Sequence, residues 1–271
     1  MLNKDGFAIV RCRACGLVYV DADMQSADLV ERYGAEYYGG TVFHDYLGER
    51  EERLAGARQQ CGLLARLQPS GRLLDVGCAT GFFLEAASRT WDVTGVELSE
   101  FAADYARREF GHHVITGDIS EAGLPDAAFD VITLWNTIEH VSNPLSVMEN
   151  IARVAAPGAL IVLTTGNVAG FQARRDLANW NLMTPPEHLY FFDPKTISLL
   201  LERTGLWVRR VAHDGITTES GILASSRARM FASLVTGNVM TVFARNDDRN
   251  GRGGTSIPVR LQRALRPIRT V

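Results

Sequence analysis

The fold is decided by the stretch Leu73-Leu-Asp-Val-Gly-Cys-Ala-Thr-Gly81. Its first half is typical of a buried strand, and its glycines predict a tight turn that opens a helix. In α/β proteins this strand, turn and helix hold a nucleoside. Glu97 lies twenty residues beyond Gly77, at the end of the next apolar run, where a carboxylate can accept hydrogen bonds from two ribose hydroxyls. Together the two features predict a ribose-bearing cofactor.

Strands and helices alternate around this stretch. The predicted strands are Arg72–Val76, Asp92–Glu97, His113–Thr116, Phe129–Trp135, Ala159–Thr165, Trp207–His213 and Val239–Ala244. The predicted helices are Gly81–Arg89, Ala102–Phe110, Pro144–Val154 and Pro194–Thr204, with a turn at Pro157-Gly158. This alternation predicts a Rossmann-like, doubly wound α/β fold, with a mostly parallel seven-stranded sheet and helices on both faces.

The chain has 271 residues, enough for one large core with appended elements. We predict three parts. Residues 1–68 form an N-terminal segment with half a zinc ribbon, a lid and helices, and residues 69–246 form the cofactor-binding domain. Residues 247–271 form a basic, disordered tail. Insertions near 170–192 and 214–236 are expected to cover a substrate.

The N-terminal segment contains two recognisable patterns. Cys12-Arg-Ala-Cys15 resembles one knuckle of a zinc ribbon, but a structural zinc needs four ligands and this pair supplies two. The module is therefore truncated, degenerate, or completed by a histidine or another chain, and we assign no metal ligands. Apolar residues at helical spacing then predict a helix after the lid: Leu54, Ala57, Cys61, Leu64 and Leu67.

Charge and hydropathy limit the partners. The net charge is −3, but residues 245–271 carry seven arginines and two aspartates, so the body is acidic and the tail basic. An acidic body argues against specific nucleic-acid binding. No apolar run is long enough for a transmembrane segment, and the first twenty residues lack an apolar signal core, so we expect a cytoplasmic protein. Weak peripheral membrane contact by the basic tail is an alternative to a solvated tail. The sequence predicts no oligomeric state.

Two kinds of cofactor site share the glycine turn and the acidic residue after the second strand. A dinucleotide site has a third glycine, which brings a helix against a pyrophosphate, but Leu84 occupies that position here. The chain instead resembles the class I S-adenosylmethionine-dependent methyltransferases over residues 70–212. The resemblance rests on LLDVGCATG, VTGVELS, TGDI, FDVITLWNTIEHV and PGALIVLTT in that order. A closer resemblance is to bacterial small-molecule members of this class, with which the chain shares Cys12–Val18, Tyr37-Tyr38 and Pro186–Leu189.

The resemblance implies a set of cofactor contacts in the glycine turn. The backbone of Gly77, Ala79 and Gly81 would hold the amino-acid part of S-adenosylmethionine, with Asp75 near its ammonium group. Ala79 departs from the usual glycine at its position, which should narrow the loop without abolishing binding. Asp75 could instead cap the following helix, and Gly81 could serve only the turn.

The resemblance also implies contacts for the nucleoside and the sulfonium. Glu97 would accept the ribose hydroxyls, and Leu98 would contact the face of the adenine ring. Asp118 would accept the adenine amino group, and Ile119 would give a backbone donor. Asn136, after the fourth strand of the cofactor domain, would line the sulfonium.

Methyl transfer requires alignment of the nucleophile, the methyl carbon and the sulfur, and a hydroxyl acceptor also needs a base. His140 follows the fourth strand at the edge where ligands bind in this architecture, and His188 lies in the candidate cap. Either could be the base, and Glu139 could orient His140 by accepting its other ring proton. Alternatively, both histidines only fasten the fold. The aromatic residues of 180–192 either line an acceptor pocket or close the core.

The implied function is transfer of a methyl group to a small molecule, with a hydroxyl of a sugar, lipid or secondary metabolite as acceptor. One alternative is an NAD-dependent oxidoreductase or epimerase, although the chain has no Tyr-x-x-x-Lys pair for proton transfer. Another is a catalytically inactive methyltransferase-like binding protein. An RNA methyltransferase is disfavoured by the acidic body and by the absence of a motif for a flipped base.

Overall fold

The computed structural model describes residues 2–24, 32–38, 46–213 and 237–246. The insertion at 214–236 and the tail at 247–271 lie outside the described residues. The strands are β1 Leu2–Lys4, β2 Phe7–Arg11, β3 Val18–Val20, β4 Arg72–Val76, β5 Asp92–Glu97, β6 His113–Thr116, β7 Phe129–Trp135, β8 Ala155–Gly166, β9 Tyr190–Phe191, β10 Trp207–His213 and β11 Val239–Arg245. The helices are α1 Ala35–Tyr38, α2 Arg50–Leu67, α3 Phe82–Ala87, α4 Glu100–Phe110, α5 Pro144–Val154, α6 Phe171–Arg175 and α7 Pro194–Arg203.

Seven strands form the main sheet in the order β10-β11-β8-β7-β4-β5-β6. Strands β8, β7, β4, β5 and β6 are parallel to one another, and β11 runs antiparallel to both β8 and β10. The predicted mostly parallel seven-stranded sheet is therefore confirmed.

The sheet is covered on both faces because successive strand residues point in opposite directions. Leu74 packs in a cluster with residues of α5 and α7, whereas its neighbour Leu73 packs in a second cluster with residues of α2, α3 and α4. Val131 and Ile132 of β7 divide between the same two clusters. This two-sided burial explains the nearly continuous apolar runs of the central strands.

The site lies where the strand order reverses. From β4 the chain goes on to β5 and β6 on one side, and later returns to β7 on the other side of β4. In open α/β sheets ligands bind at the carboxyl ends of the strands next to such a switch point. Here those ends are Val76, Glu97 and Trp135, and the loops after them bring the candidate residues together.

Side-chain caps set the helix ends. The Ser99 side chain accepts a hydrogen bond from the Ala102 backbone N–H, so α4 begins at Glu100, two residues before the predicted start. Asp193 opens α7 as predicted, since its carboxylate accepts from the Thr196 backbone N–H at 2.7 Å. Pro157-Gly158 lies within β8, which begins at Ala155, so the predicted turn is an irregularity of this strand.

A second sheet, which the sequence analysis did not anticipate, has the order β1-β2-β3-β9 and is antiparallel. The Cys12–Cys15 turn joins β2 to β3, with the Gly16 N–H donating to the Cys12 carbonyl at 2.9 Å. Among the residues that the structure describes, no third metal-donor side chain joins these cysteines. Because β9 belongs to the predicted cap, the N-terminal strands fasten that cap to the body.

Two further expectations concern burial. In α2, Leu54, Ala57, Cys61 and Leu64 are buried as predicted, but Leu67 is 41% exposed because the helix ends there.

Within the described ranges, no helix combines the length and the apolar character that crossing a membrane requires. The three-part division of the chain stays a prediction.

Candidate functional site

The glycine turn between β4 and α3 is sterically fixed. Gly77 has φ +73°, and a Cβ there would lie 2.6 Å from the Thr137 side chain. Gly81 has φ +83°, and a Cβ there would lie 2.7 Å from the Ala106 Cβ. Both positions therefore require glycine for conformation and for space. The Thr137 hydroxyl also donates to the Val76 carbonyl at 3.1 Å, so the loop after β7 lies directly against this turn.

Ala79, between these glycines, is in the left-handed region with φ +47°. A residue with a Cβ is strained there, and the family's usual glycine would not be. The strained turn directs the Ala79 N–H to Glu97 Oε2 at 2.8 Å. The departure that the sequence showed at this position is therefore a source of backbone strain.

Glu97 connects two loops. Its Oε2 accepts from the Ala79 N–H and its Oε1 accepts from the Ser99 N–H at 2.9 Å, which holds the loop after β4 against the loop after β5. The side chain is only 6% exposed. Burial raises the pKa of Glu97, and the backbone hydrogen bonds oppose that shift. Each oxygen keeps a further lone pair for another donor.

Asp75 is a second buried carboxylate at the end of β4. It is 2% exposed, and its Oδ1 accepts from the Thr133 hydroxyl at 2.7 Å. Burial raises the pKa of Asp75 to about 8, although the Thr133 hydrogen bond lowers it, and the nearby Glu97 raises it further. A buried carboxyl group in such a place favours a cationic ligand group, which would pair with its ionised form.

The remaining candidate cofactor residues lie in the neighbouring loops. Asp118 forms an Asx turn in which Oδ1 accepts from the Ser120 N–H at 2.8 Å and from its hydroxyl at 2.7 Å. Ile119 is buried in the main core, and Leu98 is partly buried against the cluster that contains the N-terminal strands. Asn136 is exposed with φ +51°, a conformation that asparagine tolerates. The Thr164 hydroxyl donates to its Oδ1 at 3.0 Å.

The structure brings Glu139, His140 and His188 together after β7. One potential ligand atom of each residue, a ring nitrogen or a carboxylate oxygen, lies within 4.8 Å of those of the other two. The two imidazole rings meet edge to face with their centroids 4.6 Å apart. The contact forms because the N–H groups of Leu189 and Tyr190 donate to the Glu139 carbonyl, at 2.8 Å and 3.2 Å. The cap is thus bound to the loop that carries the first two members.

Each histidine is held through its Nδ1 atom. Nδ1 of His140 lies 2.9 Å from the carbonyl oxygen of Glu187, and Nδ1 of His188 lies 2.7 Å from that of Leu182. A carbonyl oxygen only accepts, so both rings carry their proton on Nδ1. The orienting contacts of His140 that the structure shows are this carbonyl and the Tyr33 hydroxyl at 2.8 Å, in place of the Glu139 carboxylate.

Burial disfavours charge throughout this group. It lowers the pKa of His140 to about 3, with the neighbouring His188 contributing, and it also lowers the pKa of His188. It raises the pKa of Glu139 to about 7, against the opposing effect of the nearby Thr165 hydroxyl. Oε2 of Glu139 accepts no hydrogen bond from any described residue. Both imidazoles are therefore neutral at pH 7.

Tyr33 is a site residue that the sequence analysis did not identify. Its hydroxyl contacts His140, and its carbonyl accepts a hydrogen bond from the Ser99 side chain in the loop after Glu97. It thereby connects the cofactor side of the site with the histidine side. The only related prediction from the sequence was the lid within residues 1–68.

The aromatic residues near the cap are packed into the hydrophobic clusters. Trp180 and Phe191 are buried against the N-terminal strands, and Phe192 is buried in the main core. The Tyr190 hydroxyl donates to the Ser142 carbonyl at 2.9 Å. Of the two interpretations that the sequence left open, the structure supports closure of the core.

Comparison with known proteins gives the family. A family model described as a methyltransferase domain matches residues 46–211, more than half of the chain. A malonyl-[acyl-carrier protein] O-methyltransferase of Serratia marcescens is 33% identical over 134 residues, which cover 47% of this chain and 50% of that protein. A ubiquinone biosynthesis O-methyltransferase of Azoarcus sp. is 37% identical over 114 residues, which cover 40% and 47%. The chain spans about half the length of these curated relatives.

Solved structures show the same fold. An S-adenosylmethionine dependent methyltransferase from Mesorhizobium loti aligns with a TM-score of 0.55 at 20% identity, covering 71% of this chain and 99% of that chain. The [4+2]-cyclase SpnF aligns with a TM-score of 0.52 at 21% identity, covering 70% and 81%. Because a cyclase shares the fold, structural similarity to these proteins does not identify the reaction. By its family match, together with the motif order and this sheet, the chain belongs to the class I S-adenosylmethionine-dependent methyltransferases, and S-adenosylmethionine is its cofactor.

Proposed function

We propose that this protein transfers the methyl group of S-adenosylmethionine to a hydroxyl oxygen of a small molecule, such as a sugar, a lipid or a secondary metabolite. The observation that carries the proposal is the group of Glu139, His140 and His188, whose ligand atoms lie within 4.8 Å of one another. The loop that carries the first two members follows Thr137, which hydrogen-bonds to the Val76 carbonyl beside the glycine turn. The two relatives described above are named as O-methyltransferases, which supports oxygen as the acceptor atom.

The residues of the glycine turn fit the amino-acid part of the cofactor. A Cβ at Gly77 or Gly81 would collide with the Thr137 side chain or the Ala106 Cβ, so glycine keeps this turn in the compact conformation that carries the proposed contacts. The buried carboxylate of Asp75 suits the methionine ammonium, which would offset its desolvation. We assign Gly77, Ala79, Gly81 and Asp75 to this part of the cofactor.

The remaining cofactor assignments follow the order of the strands. Glu97 has lone pairs left for two ribose hydroxyls after its backbone hydrogen bonds are counted. We assign Asp118 and the backbone of Ile119 to the edge of the adenine, Leu98 to its face, and Asn136 to the sulfonium. The tie from Asn136 to Thr164 would keep its amide fixed at the end of β7.

The cofactor supplies a methyl group that is activated on a sulfonium. The protein must therefore align the acceptor oxygen with the methyl carbon and accept or release one proton. The Thr137 hydroxyl holds the loop after β7 against the glycine turn, and Asn136 is tied to Thr164 of β8; this would bring the histidine pair to the methyl side of the cofactor. The neutral rings of His140 and His188 present Nε2 lone pairs toward an acceptor hydroxyl.

Replacement of Glu97 by alanine is expected to weaken binding of S-adenosylhomocysteine about 100-fold, because two hydrogen bonds from the ribose to a charged acceptor are lost. Each such bond contributes up to about 1.5–3 kcal/mol to binding, and part of this is offset by water in the variant. Glu97→Gln keeps the size and one acceptor oxygen, so a loss of about 10-fold is expected. Calorimetric titration measures both. Glu100→Ala removes an exposed carboxylate three residues away and should leave the affinity unchanged. Equal affinity for wild type and Glu97→Ala would contradict the ribose assignment.

Ala79→Gly is expected to raise the free energy of unfolding by about 1 kcal/mol, because glycine relieves the left-handed strain. Ala127→Gly is a matched control, since Ala127 has φ +49° on an exposed turn outside the site. Denaturant unfolding should show a similar gain for both, and titration should show S-adenosylhomocysteine affinity within threefold of wild type. A loss of stability in Ala79→Gly would disprove the strain.

The function itself is tested in two steps. Titration with S-adenosylhomocysteine, with NADH in parallel, should show binding of the first alone. A panel of hydroxylated sugars, lipids and phenolic metabolites is then incubated with radiolabelled S-adenosylmethionine, and label in an O-methyl product is the expected result. Binding without transfer to any hydroxylated acceptor, but with transfer to amines or carbon acids, would overturn oxygen as the acceptor atom. Binding without any transfer would favour the inactive binding protein.

A further inference from the structure

The group of Glu139, His140 and His188 has an unusual balance of donors and acceptors. With both Nδ1 protons directed at carbonyl oxygens, the remaining ring nitrogens, Nε2, are acceptors. Glu139 is 3% exposed, and its Oε2 accepts no hydrogen bond from the described residues. The two imidazoles and the carboxyl group thus meet, with one ligand atom of each within 4.8 Å of the others, in a largely buried space where unpaired acceptors are costly.

One proton does not satisfy such a group, because a shared proton joins two acceptors and leaves the third unpaired. A metal ion satisfies all three at once. Two imidazoles and one carboxylate are the protein ligands of many catalytic sites for divalent transition ions, in which further coordination positions stay open.

The contacts around the rings are those that metal ligands need. A metal-binding histidine usually donates its other N–H to a carbonyl or carboxylate, which fixes the ring and its tautomer. Here the carbonyls of Glu187 and Leu182 perform this role for His140 and His188, and the Tyr33 hydroxyl adds a second contact to His140. The loop after β7 and the cap are in turn joined through the Glu139 carbonyl. The ligands are therefore held in place before an ion binds.

We propose that Glu139, His140 and His188 bind one divalent transition-metal ion, such as Zn²⁺ or Mn²⁺. The sequence alone assigned no metal ligands, because its one metal motif was the incomplete Cys12–Cys15 pair. Mg²⁺ prefers an all-oxygen set and is not expected to bind comparably.

The use of the ion rests on the proposed function. An acceptor hydroxyl would occupy an open coordination position, where the ion lowers its pKa and its proton passes to solvent. An oxygen lone pair then forms the bond to the methyl carbon, while the carbon–sulfur bond breaks and its electron pair stays on sulfur. The products are a methyl ether, S-adenosylhomocysteine and one proton. In this arrangement the histidines hold the ion, and neither ring takes the proton.

Binding of Mn²⁺ to the full chain, after treatment with a chelator, tests the site directly. Electron paramagnetic resonance measures the free ion, and thiolates compete weakly for Mn²⁺, so the cysteine pair does not obscure the result. We expect saturation at one Mn²⁺ per chain. Glu139→Gln and His188→Gln should each weaken binding by at least about 100-fold, since even loss of an outer-shell partner costs 10–100-fold. A Zn²⁺ titration of the Cys12→Ser, Cys15→Ser double variant should show the same site.

The controls separate a metal site from a folding defect. His113→Ala changes an exposed histidine at the amino end of β6 and should bind Mn²⁺ like wild type. S-adenosylhomocysteine affinity should be unchanged in Glu139→Gln and His188→Gln, which shows that both remain folded. Absence of saturable binding of both ions, or unchanged binding in these two variants, would overturn the metal site.

The same measurements distinguish the site from the function. Methyl transfer by a protein that binds neither ion would refute the metal site and leave the proposed function standing, with a histidine as the base. Binding of the ion without transfer to any hydroxylated acceptor would support the site and count against O-methylation.

Discussion

Replacement of His140 by alanine is expected to reduce methyl transfer about 1000-fold, because the group that activates the acceptor hydroxyl, as a base or as a ligand of the proposed ion, is lost. The affinity for S-adenosylhomocysteine should stay within twofold of wild type, because the ring contacts the cap and Tyr33, not Asp75 or Glu97. The measurement is initial rates with the acceptor found by the hydroxyl screen, together with calorimetric titration of S-adenosylhomocysteine.

Two further variants provide the comparison for the rate of His140→Ala. His113→Ala should leave the rate unchanged. The double variant His140→Ala, His188→Ala should be little slower than either single variant, because groups that act as one unit are not additive. A rate for His140→Ala within fivefold of wild type would refute a role in transfer. Loss of S-adenosylhomocysteine binding in that variant would instead assign His140 to the structure of the site.

Asp75→Asn is expected to stabilise the free protein and to weaken its binding of the cofactor. The pKa of Asp75 is raised from 3.8 to about 8. At pH 7, about three units above the ordinary value, keeping this group in the fold costs about 4 kcal/mol. Asparagine retains an acceptor for the Thr133 hydroxyl without this cost, so a gain of about 3 kcal/mol in the free energy of unfolding is expected. Affinity for S-adenosylhomocysteine should fall about 30-fold, because a charge-assisted contact to its ammonium is lost.

The pH dependence of this gain has a definite sign. The folded-state pKa lies above the unfolded value, so Asp75 destabilises the fold progressively as the pH rises from about 4 to about 8. The difference in stability between Asp75→Asn and wild type should be near zero at pH 4, grow up to pH 8 and then level off. Denaturant unfolding across this range measures it, with the exposed Asp92→Asn as a control. A difference independent of pH would contradict the buried carboxylate, and an unchanged affinity would contradict the ammonium contact.

The strands and the cofactor half of the site could be read from the sequence because their signals are local. β4, β5, β6 and β7 begin and end where the apolar runs predicted. Gly77, Gly81 and Glu97 belong to short motifs in which conformation and chemistry are encoded within a few residues. Two local predictions differ from the structure. The Ser99 cap makes α4 begin two residues earlier than predicted, and Leu67 is exposed because α2 ends there.

By itself the sequence determined the sheet, its order of strands and helices, and a nucleoside cofactor, because periodicity and turn chemistry act between residues adjacent in the chain. Only the tertiary structure decided which side chains meet across the site. Tyr33 lies 107 residues from His140, and His188 reaches His140 only because the N-terminal strands pair with β9 and the Glu139 carbonyl holds the cap. Such contacts depend on burial and hydrogen bonds between distant segments, and no local pattern records them.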